Sequence, residues 1–446
     1  MGAGMSGIMD AFFLSQYGFA VSIYAKGPDP RIPAASGKQH SSTMGGELGR
    51  FISRFEGEHY LGDSPMYPDM KGAFQRHVSD GGWLGKFQHE LNEFDLHWLK
   101  KRQAACDDTA CMKETERWYV ESNKTSMELW QEIIFQFPHL FEKADLLNTG
   151  ILRLYDTDTL FAWAVARHKK EYILERSLSP NMIAEKYPYF ADAAECGYIA
   201  GGLEAPGFSF NVHAFIKNVI CYLEAHHVHF YWKQTVNHIK FSPEGLVQGL
   251  VLDDTSIITG HYYSLNPGAY ANESLFAGTP AAGKLAGVAG RWLIVPSPKN
   301  FKRPVKIHGD ARVEDGKKFP VVDINLTHYK DKNGKEWLAV GGGYAYLGKP
   351  PFRFDNPAFD LIDAENERTV KRFLGPTFLD AQQLGVIKKS NATCVRSFTY
   401  NDRPVMDMIP AENGGILRIN AGTNTGTTTI APFTALETVK AFWGLH

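Results

Sequence analysis

Six residues near the start, Gly2-Ala3-Gly4-Met5-Ser6-Gly7, have the types and spacing with which a backbone cradles a dinucleotide phosphate. Gly2 permits a tight turn, Gly4 lets a pyrophosphate approach the main chain, and Gly7 lets the following helix pack close to a sheet. The N-terminus of that helix then aims its N–H groups at the anion. A glycine turn with no ligand has the same pattern, so the context decides. Ile8 to Tyr17 reads as a helix with Ile8, Phe12 and Phe13 on one side, Gly18 ends it, and Ala20 to Tyr24 reads as a buried strand. That is the second half of a β-α-β unit. At the end of its strand a ribose-binding Asp or Glu is expected, and Ala25 stands there instead. The strand expected before Gly2 is also absent, which reads as a truncated start or a fragment.

Other clusters carry less chemistry. His226-His227-Val228-His229 has no accompanying carboxylate or thiol motif and falls where a helix gives way to a strand, so it reads as surface or edge histidines and no metal is expected. Cys106, Cys111, Cys196, Cys221 and Cys394 are odd in number and scattered, which argues against a disulfide framework.

The 446 residues exceed one ordinary core, and two domains are expected. The 47 basic and 49 acidic side chains give a net charge of −2, so no nucleic-acid partner is expected. No apolar run suggests a transmembrane segment, and the N-terminus lacks the blocks of a signal peptide. A cytoplasmic location is the expectation, with peripheral attachment at a membrane left open.

The elements that must position the glycine turn follow from periodicity. Residues 72 to 148 are helical in pattern and read as an insertion. Ser179-Pro180 is a helix start, Asn211 to Glu224 a helix, and His229 to Trp232 a strand. A meander then runs through Thr235 to Ile239, Leu250 to Leu252 and Ile257-Ile258. Tyr262 to Leu265 delivers a strand into Asn266-Pro267-Gly268, and a helix is expected over Pro357 to Phe373. The chain closes with a strand Ile416 to Ile419, a glycine-rich turn and a helix Ala431 to Phe442.

In their order these blocks resemble the FAD-dependent D-amino-acid oxidase superfamily, in character most the bacterial D-amino-acid dehydrogenases. Four blocks carry the resemblance: the Gly2 to Gly7 turn; Ser41 to Arg50, similar to the segment that runs beside the flavin; Val236 with Asn266 to Ala269, similar to the adenosine-side contacts; and Arg396, Asn401 and Pro404 with Ala421 to Thr428, similar to the block that closes over the flavin ring. The dehydrogenase character comes from Asn148 to Tyr155 and Leu178 to Phe190. Ala25, and Asn401 where Asp is usual, depart from the pattern.

The resemblance implies an α/β fold (α+β overall), with a Rossmann-like FAD-binding domain formed by 1–71, 196–275 and 391–446. A sheet-and-helix substrate domain is formed by 72–195 and 276–390. It implies FAD as cofactor, bound by Gly2, Gly4, Met5, Ser6, Gly7, Ser42, Thr43, Gly45, Gly46, Gly49, Val236, Asn266, Gly268, Gly422, Thr423, Asn424, Thr425, Gly426, Thr427 and Thr428. Arg396 matches the guanidinium that grips a substrate carboxylate, an ion pair with Asp402 or Asp407 being the alternative. Tyr344 or Tyr346 is placed over the flavin face or in cross-strand packing, and Arg50 lines the cavity or forms a surface ion pair. Cys394 resembles in position a cysteine that attaches flavin covalently in sarcosine oxidases, but a free cysteine is more commonly just a small buried apolar group, and that reading is preferred. The implied reaction is oxidation of the C–N bond of an amino acid, a D-amino acid first, or of an amine, with oxygen or a quinone or other electron carrier as acceptor. A sarcosine- or glycine-oxidase-like activity, a degenerate scaffold or sensor with weak FAD binding, and a nicotinamide-dependent reductase are the alternatives.

Overall fold

The computed structural model describes residues 2–32, 49–57, 64–310, 312–314, 317–319, 322–331, 333–383, 385–389 and 393–444. Two short parallel ribbons flank the first helix, Met5–Gln16. In one, Ser22–Ala25 pairs with His229–Trp232; in the other, Tyr262–Leu265 pairs with Ile416–Ile419, and Met408–Pro410 adds an antiparallel edge. The helix stops where Gly18 turns left-handed, at φ +82°. It starts at Met5, three residues before the first apolar periodic residue, because the glycine turn feeds straight into it.

Helices Val212–Ala225 and Thr427–Phe442 pack with the first helix in one core that holds Ile8, Phe12, Phe215, Ile216, Ala431 and Val439. Asn211 caps the former by accepting from the Ala214 N–H at 3.1 Å. The meander follows as Val236–Phe241, Val247–Leu252 and Ile257–Ile258, all antiparallel.

The second body is a nine-stranded sheet. Towards one edge stands a pair of long antiparallel strands, Leu285–Pro296 and Glu336–Gly348, followed in order by Val322–Lys330, Val305–Gly309, Ile151–Tyr155, Gly201–Ala205 and Arg176–Leu178. Val305–Gly309 and Ile151–Tyr155 run parallel; the other neighbours are antiparallel. Helix Ala358–Phe373 covers one face, with Val370 and Phe373 in a core shared with Leu293, Leu326 and Val340. Cys394–Thr399 pairs with Leu285–Pro296 and carries the chain from this sheet back to the nucleotide half.

The helical insertion contains Glu93–Asp107, entered by a capping box between Asn92 and Asp95, and the 28-residue helix Thr109–Gln136. The long helix buttresses the C-terminal block. Trp130 and Ile133 enter the nucleotide-side core, and Ser126 donates to the Thr429 carbonyl at 2.6 Å. No helix among the described residues is long and apolar enough to cross a membrane.

Candidate active site

Gly4 precedes the first helix in extended backbone, ψ 179°, and no side chain caps the helix start. Its leading N–H groups therefore remain available to an anion. The turn is tight for steric reasons that require glycine. Gly2, at φ +93°, donates its N–H to the Tyr24 carbonyl at 2.9 Å, and a Cβ on it would meet the Asn266 carbonyl oxygen at 2.2 Å. A Cβ on Gly7 would meet the Gly2 carbonyl oxygen at 1.8 Å.

This turn opens on a cavity of 710 Å³ that continues along both bodies. At one end lie Tyr24 to Pro28, Trp232, Gln234 and Val236; Gly2 to Gly7 and Asn266 to Asn272 follow. Beyond them stand Asn420 to Thr425, Thr427, Thr428 and Arg50, and the far wall is the large sheet. Asn266 Oδ1 is buried without a hydrogen-bond partner among the described residues and stands on the cavity wall. A second uncapped helix N-terminus, that of Thr427–Phe442, faces the same space beyond Gly422, whose φ is +74°. Two helix ends directed at one elongated cavity fit a group with a pyrophosphate at one end and an electron-rich oxygen at the other.

The far wall has a regular origin. Paired residues Arg153, Lys306, Asn325, Gly341 and Trp292 form one row across five adjacent strands. Gly341 is needed because Trp292 lies flat over it: a Cβ there would sit 2.0 Å from the indole. Lys306 is held between Glu56 at 2.8 Å and Asp323 at 3.3 Å, and Arg153 completes the network on the other Glu56 oxygen at 2.8 Å. Burial works to lower the Lys306 pKa, but Asp323 and Glu56 together raise it, so the ammonium stays charged. His308 is driven well below its ordinary range, first by burial, and is neutral. Arg153 only donates, so His308 Nε2, 3.2 Å away, accepts and the proton sits on Nδ1.

Two guanidiniums stand at the adjoining wall. Arg396 donates to the Gly343 carbonyl at 2.9 Å and lies 5.0 Å from the Tyr344 ring centre. Arg50 lies 4.3 Å over Trp292. Burial lowers the Arg50 pKa most and Arg396 lowers it further, while Cys394 works in the other direction. Tyr344 stacks on Trp83 and donates to Asp323 at 3.0 Å. Burial, with the Asp323 charge, raises its pKa well above the usual phenol range, so it stays a donor.

Most of the residues singled out in the sequence meet here. Gly2, Gly4, Met5, Ser6, Gly7, Val236, Asn266, Gly268, Gly422, Thr423, Asn424, Thr425, Thr427, Thr428, Arg50, Tyr344 and Arg396 all line the one cavity. The ion pair offered as an alternative for Arg396 is not formed with Asp402, which pairs with Arg102 at 2.8 Å. Arg50 likewise lines the cavity. Tyr346 is placed elsewhere: fully buried, it packs on Trp98 and donates to Asp95, because this side of the strand is covered by the helical insertion. Gly49 sits in strand Gly49–Ile52, and Gly426 packs against Gly57 away from the cavity lining. Ser42, Thr43, Gly45 and Gly46 lie outside the described residues. Sequence reasoning missed Glu56, Trp292, Lys306, Asp323 and Asn325. A usable signal was present in Lys306 and His308, and in Asp323 and Asn325, polar residues two apart in a strand and alternating with apolar ones, which places each pair on one face.

A bipartite α/β fold whose glycine turn, two helix ends and sheet wall enclose one elongated cavity defines a dinucleotide-dependent oxidoreductase. The family model described as FAD dependent oxidoreductase (DAO) matches residues 1–441, and the chain belongs to that family. It is FAD-dependent. Similar solved structures include the glycine oxidase from Bacillus cereus ATCC 14579, at TM-score 0.63 and 14% identity over 100% of this chain and 94% of that one. The iminodiacetate oxidase from Chelativorans sp. BNC1 aligns at 0.59 and 13%, over 99% and 94%. The L-proline dehydrogenase from P. horikoshii aligns at 0.55 and 13%, over 98% and 91%. No curated protein sequence matches the chain.

Proposed function

We propose that this FAD-dependent oxidoreductase oxidises the C–N bond of an amino acid, a D-amino acid first, to an imine that hydrolyses to a keto acid and ammonia. The observation that carries the reading is Arg396, fixed by the Gly343 carbonyl and the Tyr344 ring at the cavity wall. A guanidinium held by one N–H and an aromatic face presents its remaining fork to a carboxylate, and a bidentate grip orients Cα. The bound flavin supplies the hydride acceptor. The protein's part is to orient the Cα–H, keep the amine near the Tyr344 and Asp323 side, and exclude competing chemistry with a wall of buried Trp292 and half-buried Phe352. Gly2, Gly4, Met5, Ser6, Gly7, Val236, Asn266, Gly268, Gly422 to Thr425, Thr427 and Thr428 are the residues assigned to the cofactor.

The test is anaerobic mixing of the flavin-loaded protein with D-, L- and N-methyl amino acids and glycine, which requires no knowledge of the natural electron acceptor. Bleaching of the flavin by D-amino acids, with stoichiometric keto acid, is expected. A protein that takes up no FAD, or one whose flavin no amino acid bleaches, overturns the reading.

A further inference from the structure

Ala25 ends strand Ser22–Ala25 where a ribose-binding acid is expected, and it is buried with no polar side-chain atom to offer. The next acid along the chain, Asp29, is turned to Arg31, one oxygen accepting from Nε at 3.0 Å and the other from Nη2 at 2.7 Å. Glu56 and Asp323, the carboxylates on the cavity wall among the described residues, belong to the Lys306 network beside the large sheet. The backbone at the strand end is engaged as well: the Ala25 carbonyl accepts from the Gln234 N–H at 2.9 Å, and the Gly27 carbonyl from the Lys233 N–H at 3.1 Å. A dinucleotide whose pyrophosphate lies on the glycine turn brings its adenosine ribose to this end.

We propose that Gln234 holds the ribose diol of FAD in place of the missing acid. Strand His229–Trp232 runs parallel to Ser22–Ala25 with Trp232 paired to Ala25, and the chain then turns left-handed at Lys233, φ +58°. That turn carries Gln234 back to the strand end, where the two backbone hydrogen bonds to Ala25 and Gly27 fasten it. Gln234 lines the cavity, is half-buried, and its amide makes no hydrogen bond among the described residues. Its two ends are complementary to a vicinal diol: Oε1 accepts from one hydroxyl and Nε2 donates to the oxygen of the other. Lys26, beside Ala25, only donates and cannot replace an acceptor. Tyr24 and Thr235 each bring a single hydroxyl, and the Tyr24 ring is stacked on Tyr231 at 4.6 Å between centres.

The probes are adenosine diphosphate and dideoxyadenosine diphosphate, which lacks both ribose hydroxyls. Each competes with FAD for the protein, and release is read from the recovered flavin fluorescence. No amino acid takes part, so the outcome is independent of the proposed amine chemistry. The wild-type protein is expected to prefer adenosine diphosphate by about tenfold, the worth of two neutral hydrogen bonds. Gln234→Ala and Gln234→Leu should bring the preference below about threefold. Gln234→Glu should keep it, because a carboxylate accepts from both hydroxyls. Thr235→Val should leave it as in the wild type. The ratio of the two probes within one variant cancels any general weakening of the site. A wild-type protein without the preference, or a preference that survives in Gln234→Ala, overturns the assignment.

Discussion

Asn266 donates its side-chain amide to the Asp10 carboxylate at 2.8 Å, joining the first helix to a turn 256 residues away. Ser264, Asn420 and Thr438 also donate to Asp10, so one buried carboxylate collects four donors from three segments around the glycine turn. Burial raises its pKa, opposed by the Ser264 and Asn266 hydrogen bonds and by Arg418. Asp10→Ala should leave these donors without their acceptor and cost about 2–4 kcal/mol, read by urea unfolding of the apoprotein. FAD affinity should fall with it, because Asn266 abuts Gly2. Unchanged FAD affinity in a destabilised variant would show that Asp10 serves the fold without setting the turn.

Arg396→Lys should raise KM for amino acids on the order of 10- to 100-fold with flavin content preserved. The planar fork is lost, at about 1.5–3 kcal/mol for a hydrogen bond to a charged group. Steady-state kinetics beside a flavin-to-protein ratio checks it. An unchanged KM would assign the carboxylate to another residue.

His168 gives the stability a defined pH dependence. Burial first, and Arg153 next, lower its pKa to about 3 from the ordinary 6.5, and Nδ1 donates to the Ala164 carbonyl at 2.8 Å. The folded state binds the proton less readily than the unfolded one. The stability this supplies is therefore complete above pH 6.5 and is lost as pH falls through that value towards 3. Relative to His168→Gln, the wild-type advantage in unfolding free energy should be flat above pH 7. It should shrink by about 2–3 kcal/mol by pH 4.5. A difference that stays constant down to pH 4.5 would mean that His168 ionises normally.

Local patterns made the nucleotide half readable. Strand His229–Trp232, strand Ile416–Ile419 and the end of helix Ala358–Phe373 fall where periodicity puts them. The Asn-Pro-Gly turn and Gly422 to Thr425, with Thr427 and Thr428, reach the cavity because glycine and short polar residues mark backbone approach. The sheet wall was less legible. Arg153, Lys306, Asn325, Gly341 and Trp292 come from five strands, and only the pairing register reveals that they share a row. Tyr346 shows the opposite failure. Two residues after Tyr344 and on the same face, it meets Asp95 of the helical insertion, whose docking no strand pattern encodes.

The Glu56 carboxylate and the Lys306 ammonium that closes on it are 250 residues apart in the chain. At about 5–20 residues per second of synthesis, the anion emerges roughly 10–50 s before its cation exists. Until then Glu56 stays in water, because burying it without Lys306 and Arg153 is costly. The sheet wall of the chamber therefore cannot close until Lys306 has been made, and the helix Thr427–Phe442 that completes the core around the glycine turn is made later still.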